Sequence, residues 1–130
     1  MNTTYWINSV MSTMFHNSRT FYVGLSSTPP NADGTGISEP IGGGYSRAMM
    51  PAFTTPANGV IHNSSAIVFP NSTNEWFQSH SMATHWVIFD GDGIDAHPLM
   101  SGRLEEAITV SIDTVVEIPA MGISISLLDG

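Results

Sequence analysis

Hydrophobic and polar residues alternate with a period of two in several short segments of this chain, the spacing that places successive side chains on opposite faces of a β-strand. The segment FYVGLS at residues 21–26 is the first example, with hydrophobic side chains at its odd-numbered positions. Turn residues separate it from further short runs, which predict strands over Tyr45–Met50, Ala66–Phe69, His85–Phe89, Pro98–Arg103, Ala107–Asp113, Val115–Ile118 and Gly122–Leu128. Short strands at this spacing predict an all-β fold, an antiparallel β-sandwich of jelly-roll or immunoglobulin-like topology.

The strand over His85–Phe89 differs from the others because both of its faces are hydrophobic. Its even-numbered side chains, Trp86 and Ile88, share one face, and its odd-numbered ones, Val87 and Phe89, share the other. This pattern predicts a central strand that is covered on both sides. By contrast, the predicted strands near the C-terminus alternate Ile, Val or Leu with Ser, Thr or Asp, so one face of each should be exposed.

Residues 1–18 follow a different period. Hydrophobic side chains recur there three and four positions apart and form two adjacent stripes on one side of a helix, which consist of Trp6, Ile7, Val10, Met11, Met14 and Phe15. We therefore predict two units, a short amphipathic α-helix over residues 1–18 and a β-sandwich domain over residues 19–130. A helix rich in Ser, Thr and Asn is marginal alone. It should form when it docks on its own domain, on a neighbouring subunit or on another protein.

A long connection separates FYVGLS from the segment GGGYSR and is rich in Pro, Gly, Asn and Asp. A connection of about fifteen residues exceeds the usual length between strands, which indicates a binding or packing role or local disorder. Three consecutive glycines, Gly42, Gly43 and Gly44, predict a bulge or a close approach of two chain segments just before Tyr45 and Arg47.

The order of these pieces resembles a known family. The Tyr-Val-Gly-Leu-Ser strand, the Pro/Asp/Gly loop, Glu-Pro and GGGYSR are followed by AIVFP, by Trp76, by THWVIFD and by a closing strand. This order, over about residues 19–128, is similar to the small proteins of tailed bacteriophages usually called phage tail fibre proteins. The resemblance implies a structural protein of the virion that associates with itself, as a trimer, and with other virion proteins. It also raises adhesion to a host surface glycan as a further role.

Charge narrows the range of partners. The sequence contains no lysine, and its three arginines face eleven Asp and Glu residues, which gives a net charge of −8. A polyanion such as DNA would be repelled, so nucleic acid is not an expected partner. The polar face of the predicted helix has no Lys or Arg, and no run of about 18 apolar residues occurs, so no membrane contact is expected. Cysteine is also absent, which excludes disulfides and thiolate sites.

The segment DGDGIDAH at residues 90–97 invites interpretation as a metal site. Its carboxylates could bind calcium, but Ile94 and Asp95 occupy positions at which an EF-hand loop has a ligand and a glycine. Asp-Gly pairs between hydrophobic strands instead predict a hairpin turn. His80 and His85 would lie on opposite faces of one strand, so they cannot share a metal without a bulge. We therefore predict no metal and no cofactor, with a histidine ring on an oligomer symmetry axis as the open alternative.

No combination of residues predicts catalysis. No serine lies in a G-x-S-x-G turn, the triple glycine does not match a phosphate-binding loop, and Glu105 and Glu106 are expected in a solvated turn. Trp76 and Phe77 lie in a polar stretch, where an exposed aromatic ring could stack on a sugar and serve adhesion. The favoured alternative is a core or interface position, since only one of two neighbours on a strand can face outward.

These observations predict a protein that is not an enzyme but a structural component of a bacteriophage virion, associated with the tail. Two alternatives stay open. One is a capsid decoration or head-fibre subunit, because fold does not fix location in a particle. The other is a carbohydrate-binding module, which would depend on exposed Trp76 and Phe77.

Overall fold

The computed structural model describes residues 20–77 and 81–126. In these two ranges the secondary structure consists of β-strands in antiparallel pairs, without a helix. The strands are β1 (Tyr22–Ser26), β2 (Ala48–Met49), β3 (Val60–His62), β4 (Ile67–Val68), β5 (Ala83–Phe89), β6 (Pro98–Ile108), β7 (Glu117–Ile118) and β8 (Ser124–Ser126). The predicted all-β antiparallel fold is confirmed, whereas the predicted helix over residues 1–18 lies outside the described residues.

The largest sheet contains four strands in the order β2-β1-β5-β6. β1 pairs along its whole length with β5, and β6 pairs with the other side of β5. The side chains of residues 86–89 are all buried, although they point alternately to the two faces of the sheet. The prediction that this strand is central and covered on both sides is therefore confirmed.

Two shorter pairs, β3 with β8 and β4 with β7, pack against one face of this sheet, which we call the front face. The hydrophobic core lies between the two layers. Its members include Val23, Leu25, Trp86 and Ile88 from the sheet, Ile61, Ile67, Ile118 and Ile125 from the shorter pairs, and Ile123 just before β8. Each fully buried side chain of this kind stabilises the fold by about 1.5–3 kcal/mol, so the core holds the two layers together.

The opposite face of the sheet, the back face, is covered by the long connection between β1 and β2. This connection is ordered by its own hydrogen bonds, such as those from the Ser27 N–H to the Ser38 carbonyl and from the Asn31 N–H to the Thr35 carbonyl. The Ser26 hydroxyl oxygen also accepts hydrogen bonds from the backbone N–H groups of Thr28 and Ser38. Of the roles that its length indicates, packing is the one seen in the structure.

Several strands differ in extent from the prediction. The strand predicted over Tyr45–Met50 is reduced to β2, because the side chains of Tyr45 and Arg47 hydrogen-bond to Glu39. The strand predicted over Pro98–Arg103 continues to Ile108, so Glu105 and Glu106 lie in a strand and not in a turn. This is accommodated by a bulge, since residues 104–107 lie opposite a single residue of β5. β3 was not predicted, β4 and β7 are shorter than expected, and β8 begins at Ser124, two residues later than expected.

The strand predicted over Ala107–Asp113 is wrong beyond Ile108. The backbone there pairs with an irregular segment instead: Val110 accepts a hydrogen bond from Trp76 N–H, and Ser72 exchanges backbone hydrogen bonds with Asp113 and Thr114. Residues 109–113 have no strand partner, so their alternating pattern does not place side chains on two faces of a sheet. Ile112, expected on a buried face, is accordingly 65% exposed.

Candidate functional site

Five residues that are far apart in the sequence meet on the back face of the four-stranded sheet: Gly24, Glu39, Tyr45, Arg47 and Phe89. We call them the back-face cluster. Its centre is the Glu39 carboxylate, which accepts hydrogen bonds from Arg47 Nη2 at 2.7 Å, Arg47 Nε at 3.1 Å and Tyr45 Oη at 2.5 Å. Only 11% of the Arg47 side chain and 19% of the Glu39 side chain are exposed. A two-pronged arginine–carboxylate pair of this kind is strong and fixes geometry.

Arg47 also connects the long connection to the β5–β6 hairpin. Its Nη1 donates to the backbone carbonyls of Gly91 at 3.2 Å and Gly93 at 2.8 Å. The guanidinium carbon lies 3.5 Å from the centre of the Phe89 ring, a favourable cation–π position. One side chain therefore holds two loops and the end of a central strand together.

Gly24 provides the space that the cluster occupies. A Cβ atom at this position would lie 2.7 Å from Glu39 Oε2, 2.9 Å from the Tyr45 hydroxyl and 3.0 Å from the Phe89 ring. The Tyr45 hydroxyl accepts a hydrogen bond from the Leu25 N–H at 3.2 Å. Burial, and then the adjacent Glu39 carboxylate, raise the pKa of Tyr45, so its hydroxyl keeps the proton that it donates to Glu39.

Trp76 packs beside Tyr45 and fixes the triple glycine. Its Nε1 donates to the Gly43 carbonyl at 2.8 Å, and its ring meets the Tyr45 ring edge-on at 5.1 Å and the Phe69 ring at 6.3 Å. Trp76 is only 3% exposed and Phe77 only 7%. Neither neighbour faces outward, because they lie in an irregular segment in which side chains do not alternate as they do along a strand.

Gly42, Gly43 and Gly44 adopt φ angles of 73°, 63° and 80°, in the left-handed region that favours glycine. At Gly43 a Cβ atom would also lie 3.1 Å from Trp76 Cδ1, whereas nothing lies within 4 Å of a Cβ at Gly42. The chain therefore approaches the tryptophan closely at Gly43. The Thr73 N–H donates to the same Gly43 carbonyl as the indole, so two hydrogen bonds fix this carbonyl.

We expect Gly43→Val to destabilise the protein more than Gly42→Val. Both substitutions place a β-branched residue at a positive φ, at a cost of about 1–2 kcal/mol, but only the first also collides with Trp76. Urea unfolding of the two variants measures the difference. Equal losses of free energy would show that the contact at Gly43 does not matter.

Sequence analysis singled out Tyr45, Arg47 and the glycines but missed Gly24, Glu39 and Phe89 as their partners. A signal for Glu39 was present. In a chain with three arginines and no lysine, an arginine close to a hydrophobic strand needs a carboxylate, and Glu39 lies in the same connection. Nothing in the sequence marked Gly24 or Phe89, because their role depends on strand pairing.

Two buried polar residues were also missed. The Asn63 side-chain amide donates to the Ser65 and Pro119 carbonyls and accepts from the Ile123 N–H, each at 2.9 Å. The Ser72 hydroxyl accepts from the Thr114 N–H at 2.8 Å. Both fix connections between distant segments. Serine and asparagine are abundant throughout the sequence, so these two positions did not stand out.

Residues 90–97 form the turn between β5 and β6, and the predicted hairpin is confirmed. The Asp90 carboxylate accepts a hydrogen bond from the His97 N–H at 2.7 Å, which lowers the pKa of Asp90, and lies 3.2 Å from His97 Nδ1. His85 Nδ1 lies 2.8 Å from the Thr84 hydroxyl, and His80 is outside the described residues. Within residues 20–77 and 81–126, no three His, Asp or Glu residues are placed to hold a metal ion.

We expect chelation with EDTA to leave the melting temperature unchanged. Asp90 is engaged by the hairpin backbone and is not directed toward a cation. A bound metal would stabilise the protein by about 2.7 kcal/mol at a hundredfold excess over its dissociation constant, so its removal would be visible in a thermal melt. A drop of several degrees that calcium restores would contradict the hairpin interpretation.

The residues of the predicted docking stripe, Trp6 to Phe15, lie outside the described residues. In the described part of the chain, no helix has the length and hydrophobicity needed to cross a membrane.

The geometry is that of a structural β-protein, because the polar side chains of the back-face cluster fix loops on a sheet. A family model described as Podophage GP4 fiber I protein gp80 matches residues 2–126 of the chain. The chain therefore belongs to this family of phage fibre proteins, and it is a structural component of the virion. No curated protein matches the chain. The resemblance to phage fibre proteins is confirmed by the family match.

Proposed function

We propose that the protein is a tail-fibre subunit that assembles as a trimer and docks on the particle through the hydrophobic stripe of residues 1–18. Family membership supports the fibre role. The observation that supports assembly from preformed domains is the Glu39–Arg47 pair, which locks the long connection over the back face. Because residues 20–77 and 81–126 cover both faces of the four-stranded sheet, its strand edges and loop tips are left to contact other subunits.

Two loop tips support contact between copies. Ile41 and Ile94 are 96% and 95% exposed, and they belong to the two loops that Arg47 joins. Large hydrophobic side chains held out on fixed loops are suited to burial against another protein surface.

We expect light scattering to give three times the monomer mass, and Ile41→Ser combined with Ile94→Ser to shift the protein toward monomer. The matched control is Ile112→Ser with Val115→Ser, which removes two exposed hydrophobic side chains elsewhere and should leave the mass unchanged. A strict monomer at high concentration, together with single copies in the particle, would refute the trimer.

Location is tested by cryo-electron microscopy of the intact particle. Density for the β-domain on the tail would support the proposal, whereas density on the head would establish the decoration or head-fibre alternative. A Trp6→Ala, Phe15→Ala phage should carry fewer copies of a still folded protein if the stripe docks on the particle. Normal copy number in that phage would refute docking through the stripe.

The carbohydrate-binding alternative receives no support from the two aromatic residues on which it depended. Stacking on a sugar requires an exposed ring face, and Trp76 and Phe77 are both buried.

A further inference from the structure

A groove of about 370 Å³ lies between β6 and the segment formed by β7 and the turn that follows it. It shares no residue with the back-face cluster. Its hydrophobic lining includes Leu104, Ile108 and Ile118. It is also lined by three carboxylates, those of Glu105, Glu106 and Glu117. We call it the acidic groove.

The two strands that border the acidic groove each have a partner on one side only, among the residues that the structure describes. β6 pairs with β5, and β7 pairs with β4. An unpaired edge offers backbone N–H and C=O groups to an added strand. The bulge at residues 104–107 and the charged side chains on β6 are features that discourage indiscriminate pairing, so an added strand must complement them.

The carboxylates of the groove lack a basic partner within residues 20–77 and 81–126. The ion pairs formed there are those of Arg47 with Glu39 and of His97 with Asp90. The chain contains no lysine, and a second copy would bring a net charge of −8 to the same surface. Charge complementarity therefore favours a different, basic polypeptide over another copy of this chain.

We infer that the acidic groove receives an extended segment of another virion protein. Basic side chains of that segment would lie against Glu105, Glu106 and Glu117, alternate hydrophobic side chains would contact the hydrophobic lining, and its backbone would pair with the edge of β6. The inference rests on the protein being a virion component. It is independent of tail location and of the trimer, so either of those proposals can fail without affecting it.

The absence of lysine gives a direct test in intact particles. A carbodiimide joins a carboxylate to an amine, so an amide between this chain and a lysine must link it to a different protein. Mass spectrometry should find Glu105, Glu106 or Glu117 linked to lysine at least several-fold more often than the exposed carboxylates of Glu75 and Asp113. Equal linkage at all sites, linkage at Glu75 and Asp113 alone, or linkage to the amino terminus of another copy would each overturn the inference.

Purified full-length protein tests the chemistry of recognition. The probe is a peptide of about nine residues that alternates valine with lysine, and its binding is measured by fluorescence anisotropy. Combining Glu105→Gln, Glu106→Gln and Glu117→Gln should weaken binding at least tenfold. The control, which removes three exposed carboxylates elsewhere, should change it less than twofold: Glu75→Gln, Asp92→Asn and Asp95→Asn.

A second peptide separates strand addition from charge attraction. Methylation of alternate backbone nitrogens keeps every lysine but blocks pairing with a strand edge, so binding should be lost. Retained binding of the methylated peptide, or equal losses in the two triple variants, would overturn the inference. Thermal melts of both triple variants establish that they are folded.

Discussion

Trp76→Ala should reduce the free energy of unfolding by about 3–5 kcal/mol, the usual cost of truncating a buried large aromatic residue. The side chain is almost completely buried, packs edge-on against Tyr45 and Phe69, and donates to the Gly43 carbonyl. Its loss would leave a cavity beside the back-face cluster. Chemical denaturation measures the change, and failure to recover folded protein would be the extreme form of the same result.

Trp76→Phe is the matched control, because it keeps an aromatic ring but removes the indole N–H. The Gly43 carbonyl would still accept a hydrogen bond from the Thr73 N–H. The free energy of unfolding should therefore fall by only about 0.5–1.5 kcal/mol, the usual net contribution of one hydrogen bond. A cell-binding assay on Trp76→Ala and Phe77→Ala completes the test. A stable Trp76→Ala protein that no longer attaches to cells would assign the residue to adhesion, and a stable one with normal attachment would refute both roles.

Arg47→Met should reduce the free energy of unfolding by about 3 kcal/mol, within the range for removing one member of a buried ion pair. The Glu39 carboxylate would remain largely buried without its cation, and the Gly91 and Gly93 carbonyls would lose their donor. Methionine preserves much of the length of the side chain against the Phe89 ring. The measured loss therefore reports mainly on charge and hydrogen bonding.

Two comparisons make this result specific. Arg103→Met removes an exposed arginine from β6 and should change stability by less than about 0.5 kcal/mol. Adding Glu39→Gln to Arg47→Met should recover part of the loss, because the uncompensated charge is removed as well. If Arg47→Met cost no more than Arg103→Met, the ion pair would not be what holds the long connection on the sheet.

The sequence predicted best those strands whose pattern reflects burial directly. β5 was predicted as central because both of its faces are hydrophobic, and β8 shows the expected alternation, with Ile123 and Ile125 buried and Ser124 and Ser126 exposed. In these segments the local pattern and the tertiary environment agree. The family resemblance was also accessible, since it depends on the order of short pieces and not on their contacts.

The remaining elements depended on partners that local patterns do not specify. Residues 45–50 were predicted as a strand, yet Tyr45 and Arg47 are directed to Glu39, and regular pairing begins only at Ala48. For the same reason Tyr45 and Arg47 could be singled out from sequence but the cluster they form could not. Strand propensity is context-dependent, and here the hydrogen bonds to Glu39 outweigh it.

The position of Gly24 beneath Glu39 and Tyr45 has a consequence for how the protein folds. The surface that receives the long connection is made by Gly24 from β1 and Phe89 from β5, so it exists only when these strands have paired in register. If the pairing of β1 with β5 shifted by one residue, a side chain would occupy the space above Gly24. The Glu39 carboxylate and Arg47 could then not reach their positions on the sheet. The closed loop therefore requires a correctly aligned pair of strands, and its contacts stabilise that register over a shifted one.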